Sequence, residues 1–198
     1  MRLLVFSDVH GDKKVIEKII KKAEKDDPDF LICAGDLTMW GHDLETLLNM
    51  FNKLDKPLII IPGNHEEEKE LKKVCKNYRF IIYLHKTCYE INDFLFFGYG
   101  GGGFSRRDNE FESIADRIKK EIKNKKIIII THAPPYKTKL DKIPGLGHVG
   151  NESIMKFIKE TGPKLLISGH IHDCVGKRGR IRETVIVNPK KFGEIIEI

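Results

Sequence analysis

Five short segments carry most of the reactive side chains of this chain: Asp8-Val9-His10, Gly35-Asp36, Gly63-Asn64-His65-Glu66, Thr131-His132 and Gly169-His170-Ile171-His172. They contain two aspartates, one asparagine and five of the chain's eight histidines. Asp8, His10, Asp36, Asn64, His132, His170 and His172 form a donor set of nitrogen and oxygen without a thiolate, which suits Mn, Fe, Ni, Co or Zn over Ca. The set is large enough for two ions and leaves His65 over. A carboxylate has two oxygens and can bridge two cations. Two divalent ions, less two aspartates and a bridging hydroxide, leave a net charge of about +1, which matches an anionic phosphate. Such a pair lowers the pKa of bound water to about 7 and clamps both oxygens of an in-line displacement.

Each of these residues alone has a plainer reading. Asp8 and Asp36 could cap helices, and His132 could be a loop histidine. Their joint occurrence in strand-end segments outweighs that. Apolar runs at Leu3–Phe6, Phe30–Cys33, Leu58–Ile61, Phe94–Phe97, Ile127–Ile130 and Leu165–Ile167 read as strands buried on both faces. Helical spacing is expected at Lys13–Lys25, with Asp12 as its cap, and at Asp43–Lys53 and Glu66–Lys76. Two more helices are expected: Asn109–Lys123, opened by Asn109 and Glu112 as a capping box, and Asn151–Glu160, ended by Gly162-Pro163. The opening β-α-β-α-β order requires parallel strands with crossover helices. From Phe80 to Phe97 the pattern changes to short strands with a turn near His85-Lys86. Cys174–Ile198 reads as strands with turns at Lys177–Gly179 and Pro189–Gly193. The chain is read as one domain, residues 1–198, of mixed α/β class with two packed sheets. Functional loops of such sheets gather beyond the carboxyl ends of the strands.

Composition narrows the class. An apolar fraction of 40% and a charged fraction of 32% describe a folded, water-soluble chain. No apolar run is long enough to span a bilayer, and the first strand begins next to Met1, so the expected compartment is the cytoplasm. Cys33, Cys75, Cys88 and Cys174 form no paired spacing and read as reduced thiols, with Cys174 a packing residue at a strand start. The net charge of +6 is mostly lysine on helix faces, a solvated surface or an attraction for phosphate-bearing substrates. Without arginine–aromatic interleaving, nucleic-acid binding is not favoured.

The order D-x-H, GD, GNHE, TH, GHxH resembles that of the calcineurin-like metallophosphoesterases and spans residues 8 to 172. The resemblance implies a four-layer α/β/β/α sandwich with two mixed sheets and the metal site at the carboxyl ends of the strands. It implies two divalent ions, with Mn the first choice and Fe, Ni, Co or Zn as alternatives. Asp8, His10, Asp36 and His172 would hold one ion, and Asp36, Asn64, His132 and His170 the other, with Asp36 bridging. His65 would stand beside the substrate and assist the leaving oxygen. The chain departs from the GDxxDRG form of the protein phosphatases: Gly35-Asp36-Leu37-Thr38-Met39-Trp40-Gly41 lacks the second Asp and the Arg. The small phosphodiesterase-like members are the nearest match.

The expected function is hydrolysis of a phosphate diester by metal-bound hydroxide, with nucleotide-derived esters among the candidate substrates. The alternatives are a nuclease, a phosphomonoesterase and a non-catalytic scaffold of the same fold. Further candidates for substrate contact are Arg106 and Arg107, after the glycine-rich run Gly98–Gly103, and His148; each also reads as a solvated or structural residue. Trp40 could wall the site or pack on the core, while His42 and His85 read as surface or turn residues.

Overall fold

The computed structural model describes residues 1–122 and 125–198. Its strands are β1 (Arg2–Phe6), β2 (Phe30–Cys33), β3 (Leu58–Ile60), β4 (Ile81–Tyr83), β5 (Thr87–Ile91), β6 (Phe94–Tyr99), β7 (Lys126–Thr131), β8 (Lys142–Ile143), β9 (Gly147–His148), β10 (Leu165–Ile167), β11 (Arg178–Ile181), β12 (Thr184–Val187) and β13 (Glu194–Glu197). The helices are α1 (Lys13–Asp26), α2 (Leu44–Asn52), α3 (Glu68–Cys75), α4 (Asn109–Glu121) and α5 (Glu152–Thr161). One sheet has the order β13-β1-β2-β3-β4 and the other β11-β12-β10-β7-β6-β5. In the first, β1 to β4 are parallel and β13 is antiparallel to β1. In the second, β12, β10, β7 and β6 are parallel, with antiparallel β11 and β5 at the edges. β8 and β9 form a small ribbon.

The continuous apolar runs follow from burial on both faces. Along β1, Leu4 and Phe6 pack under α1 to α3, while Leu3 and Val5 face the other sheet. Along β7, Ile128 and Ile130 fill the space between the sheets, and Ile129 packs under α4 and α5. Three apolar layers therefore separate four layers of structure, giving the α/β/β/α sandwich that the sequence resemblance implies. Val15, Ile16, Ile19 and Ala23 of α1 and Phe111, Ala115 and Ile118 of α4 lie on the buried faces.

Several boundaries differ from the sequence reading for local reasons. Asp12 caps α1 as expected, accepting from the backbone N–H of Lys14 and Val15. The cap of α4 is Asp108 instead of Asn109, and Glu112 accepts from Ser153 Oγ at 2.6 Å, tying α4 to α5 instead of closing a capping box. Lys123, the expected end of that helix, lies outside the described residues. Asn151 caps α5, and Gly162 ends it in the left-handed region. Lys177–Gly179 is not a turn, because β11 starts at Arg178, and Cys174 ends a short 3-10 turn. α3 starts two residues later than expected, because Glu66 is drawn inward.

The turn at His85-Lys86 carries the chain from β4 in one sheet to β5 in the other. His85 is buried there, not on the surface, and its Nδ1 accepts from the backbone N–H of Gly100 at 2.8 Å. Burial holds its pKa down at about 4 despite nearby Glu68. The unfolded chain therefore takes up a proton at His85 before the folded chain does. Its contribution is complete above about pH 6.5 and is lost as the pH falls toward 4, on the order of 3 kcal/mol. His85→Asn keeps an acceptor near the Nδ1 position without the titration. Urea unfolding between pH 7 and 4 should show the variant losing less stability than the wild type, and parallel losses would contradict the assignment.

Candidate active site

The loops that leave β1, β2, β3, β7 and β10 converge on one rim of the sandwich. Asp8, His10, Asp36 and His170 all adopt positive φ, at 54°, 51°, 51° and 69°. A non-glycine residue in this region costs about 1–3 kcal/mol and persists only where its surroundings hold it. Here the loops are laced together: Asp8 N–H donates to Gly35 O at 3.1 Å, His10 N–H to Asp36 O at 2.9 Å, and Gly169 N–H to His132 O at 3.0 Å. Two glycines permit the approach. A Cβ at Gly63 would lie 2.0 Å from Asp36 Oδ1, and one at Gly169 2.3 Å from Asp8 Oδ2.

Glu66 is the residue whose part the sequence reading missed. By sequence it starts a helix, but its buried carboxylate sits under the site. Oε2 accepts from the backbone N–H of Asp36 at 3.0 Å and Gly63 at 2.8 Å, while Oε1 accepts from the N–H and Oγ1–H of Thr38, both at 2.8 Å. Burial raises its pKa although these bonds oppose the shift. The signal was its position directly after Asn64-His65, which places it beneath the same turn.

The seven expected donors are brought together. Both oxygens of Asp8 accept from His170 N–H, at 3.0 and 3.1 Å, and Asp36 Oδ1 accepts from His65 N–H at 2.9 Å. His132 is fully buried, and its Nδ1 donates to Ala34 O at 2.9 Å. That leaves Nε2 facing Asn64 Oδ1 at 3.0 Å and Asp36 Oδ2 at 3.4 Å. His10 Nε2 lies 3.1 Å from His172 Nε2 and 3.9 Å from Asp36 Oδ2, and His172 Nε2 lies 3.7 Å from Asp8 Oδ1. His170 Nε2 is buried and has no hydrogen-bond partner among the described residues.

Lone pairs aimed at one another repel unless a proton or a cation lies among them. Three groups could each surround an ion, their donor atoms lying within 4.8 Å of one another: Asp8, His10 and His172; Asp8, Asp36 and His132; His10, Asp36 and His65. The donors fit two divalent ions. Titration follows the same geometry. Burial would raise Asp36, but His132 outweighs it and holds the carboxyl at about 2. Burial would lower His132, but Asp36 lifts it to about 9. Burial and the His132 charge push His170 down to about 4, so its imidazole stays neutral and available as a ligand.

Among the described residues, no carboxylate is hydrogen-bonded to the ring of His65. The ring lies between aromatic neighbours, 4.2 Å from the Trp40 ring and 4.7 Å edge-on to His10. Met39 and Trp40 stand where the GDxxDRG form has its Asp and Arg. Of the other expected contacts, Arg106 pairs with Glu152 at 2.8 Å and covers the Tyr136 ring at 3.5 Å, and Arg107 pairs with Glu152 at 3.2 Å. His148 Nδ1 is 2.7 Å from Asp141 Oδ1. From the glycine-rich loop it is Phe104 that approaches the donors, its ring 4.6 Å from that of His170.

The calcineurin-like phosphoesterase family model matches residues 1–174. The chain belongs to the calcineurin-like phosphoesterase family. It is a hydrolase acting on phosphate esters. This phosphoesterase is 29% identical to the uncharacterized protein MJ1162 of Methanocaldococcus jannaschii, over 96% of the chain and 88% of the relative. It is 25% identical to a protein of Arcobacter nitrofigilis named a probable glycerophosphodiester phosphodiesterase, over 75% of the chain and 58% of that relative. Its fold is shared with TT1561 of Thermus thermophilus, at a TM-score of 0.78 and 20% identity, covering 96% of the chain and 89% of the other.

Glu66→Gln places an amide N–H2 against backbone donors. It should lower the unfolding free energy by about 2–3 kcal/mol and weaken metal retention. Denaturation and metal content after dialysis check this, and a change under about 0.5 kcal/mol with full metal content would contradict the anchoring role.

Proposed function

We propose that this phosphoesterase is a dinuclear, metal-dependent phosphodiesterase of the cytoplasm, with residues 1–198 acting as one catalytic domain. The observation that carries the reading is the clustering of Asp8, His10, His132 and His172 with Asp36, with Asn64 against His132 and the His65 ring 3.9 Å from the same carboxylate. Asp8, His10, Asp36 and His172 would hold one ion, and Asp36, Asn64, His132 and His170 the other, with Mn the first choice. Bound there, the ions supply an acidic water as nucleophile and neutralise charge on the phosphoryl oxygens.

The chain's own groups do the rest. The backbone N–H of His65 fixes one oxygen of Asp36, which turns the other toward His132. The exposed Asn64 amide can donate to a phosphoryl oxygen while its carbonyl faces His132. The ring of His65 is half-buried, and its Nδ1 has no hydrogen-bond partner among the described residues. Held by Trp40 and His10, it gives a ring proton to the departing alkoxide oxygen.

A diester is favoured over a monoester on charge. Its single negative charge needs less cationic help, and Arg106 and Arg107, the guanidiniums nearest in sequence to the glycine-rich loop, are paired with Glu152. The Arcobacter relative's name agrees with that reading, and a nucleotide-derived ester fits it.

Metal-stripped protein reloaded with Mn²⁺ should hydrolyse bis(p-nitrophenyl) phosphate faster than p-nitrophenyl phosphate. His65→Ala should lose about 10²–10⁴-fold in turnover of a diester with an alkyl leaving group, such as bis(glyceryl) phosphate, while keeping its metal content. Full turnover in that variant would overturn the role of His65, and preference for the monoester would overturn the diester assignment.

A further inference from the structure

Trp40 has three properties that packing alone does not explain. It is 67% exposed, although tryptophan is among the most costly side chains to leave in water. Its backbone is in the left-handed region at φ 54°, an outlier for a bulky residue. Its ring covers that of His65 at 4.2 Å between centroids, tilted by 36°. The fold thus holds a large aromatic ring in a strained conformation against the histidine that faces the leaving oxygen, with most of its surface bare.

The surroundings add a charge preference. Trp40 lines a hollow of about 280 Å³ with Asn64, His65, Glu67 and Glu70. The two exposed glutamates repel any further phosphate on this side. A separate cleft of about 470 Å³ beside Asp8, His10 and His172 includes Asp12 and Lys191. A leaving oxygen within hydrogen-bond reach of His65 brings the first atoms of its alcohol next to the indole.

We propose that Trp40 is the platform on which the leaving alcohol stacks, and that the substrates are phosphate esters whose leaving alcohol bears an uncharged planar ring, as in a nucleoside or an aryl alcohol. The inference rests on the assignment of His65 to the leaving-group side. Stacking of a ring on an aromatic side chain is worth about 1–3 kcal/mol by substitution, which sets the scale of the expected effect as roughly tenfold or more in affinity.

Two measurements test it. The first compares bis(p-nitrophenyl) phosphate with bis(glyceryl) phosphate, a symmetrical diester without rings. Trp40→Leu should raise KM for the aryl diester about tenfold relative to its effect on the glyceryl diester, and Trp40→Phe should recover most of the difference. Equal effects on the two substrates, or none, overturn the platform. The second uses the chain's single tryptophan and needs neither turnover nor a variant. Indole emission of Zn-loaded wild-type protein, excited where adenine does not absorb, should be quenched by adenosine 5′-monophosphate and not by ribose 5-phosphate. Equal quenching by both, or by neither, overturns the inference. If the wild type hydrolyses neither diester, the proposed phosphodiesterase function fails, while the fluorescence pair still decides whether Trp40 receives a ring.

Discussion

The site depends on a carboxylate that the fold takes out of water and then surrounds with hydrogen bonds. Asp36 is 2% exposed, and burial alone would favour its neutral form. Its ionised state is held by His132 and by the backbone N–H of His65, at a pKa of about 2. The same carboxylate lies within 4 Å of ring nitrogens of His10, His65 and His132. Asp36 is therefore the point where the donors of the first sheet meet His132 of the second. Its backbone is positioned in turn by Glu66, whose four accepted hydrogen bonds join the turn after β2 to the turn after β3.

This arrangement is unfavourable locally and is sustained by the layers beneath it. Four donor residues are in left-handed conformations, and the Nε2 atoms of His10 and His172 face each other at 3.1 Å. The three apolar layers and the parallel ladders fix where each strand ends, and short backbone bonds between adjacent loops fix what happens after the end. Strain of this kind concentrates at functional sites, where it preorganises groups that would otherwise relax apart. Ions that bind only the folded state stabilise it, so metal binding and folding of the rim are linked.

The architecture was legible because burial on both faces leaves a simple mark. Continuous apolar runs such as Leu3–Phe6 and Ile127–Ile130 can be read directly as central strands, and Asp8, Asp36 and His132 follow their ends closely. Reading failed where a side chain's partner is distant in sequence. Glu66 looked like the first turn of a helix because its partners, the N–H of Asp36 and Thr38, lie 30 and 28 residues away in sequence. His85 looked like a surface turn residue because Gly100, which it anchors, belongs to another strand's exit. Glu112 fitted a capping box by spacing, yet Ser153 on the next helix claimed it. Arg106 and Arg107 beside a glycine run suggested an anion clamp, and only the three-dimensional arrangement reveals Glu152 between them.

The proposal that a direct measurement can decide is that Asp36 would bridge two divalent ions. The most direct measurement is anomalous X-ray scattering from crystals of Mn-loaded protein, recorded on both sides of the Mn absorption edge. The account predicts two Mn peaks, each bonded to an oxygen of Asp36, one also bonded to Asp8, His10 and His172 and the other to Asn64, His132 and His170. A single peak, or two peaks not joined through Asp36, would contradict it.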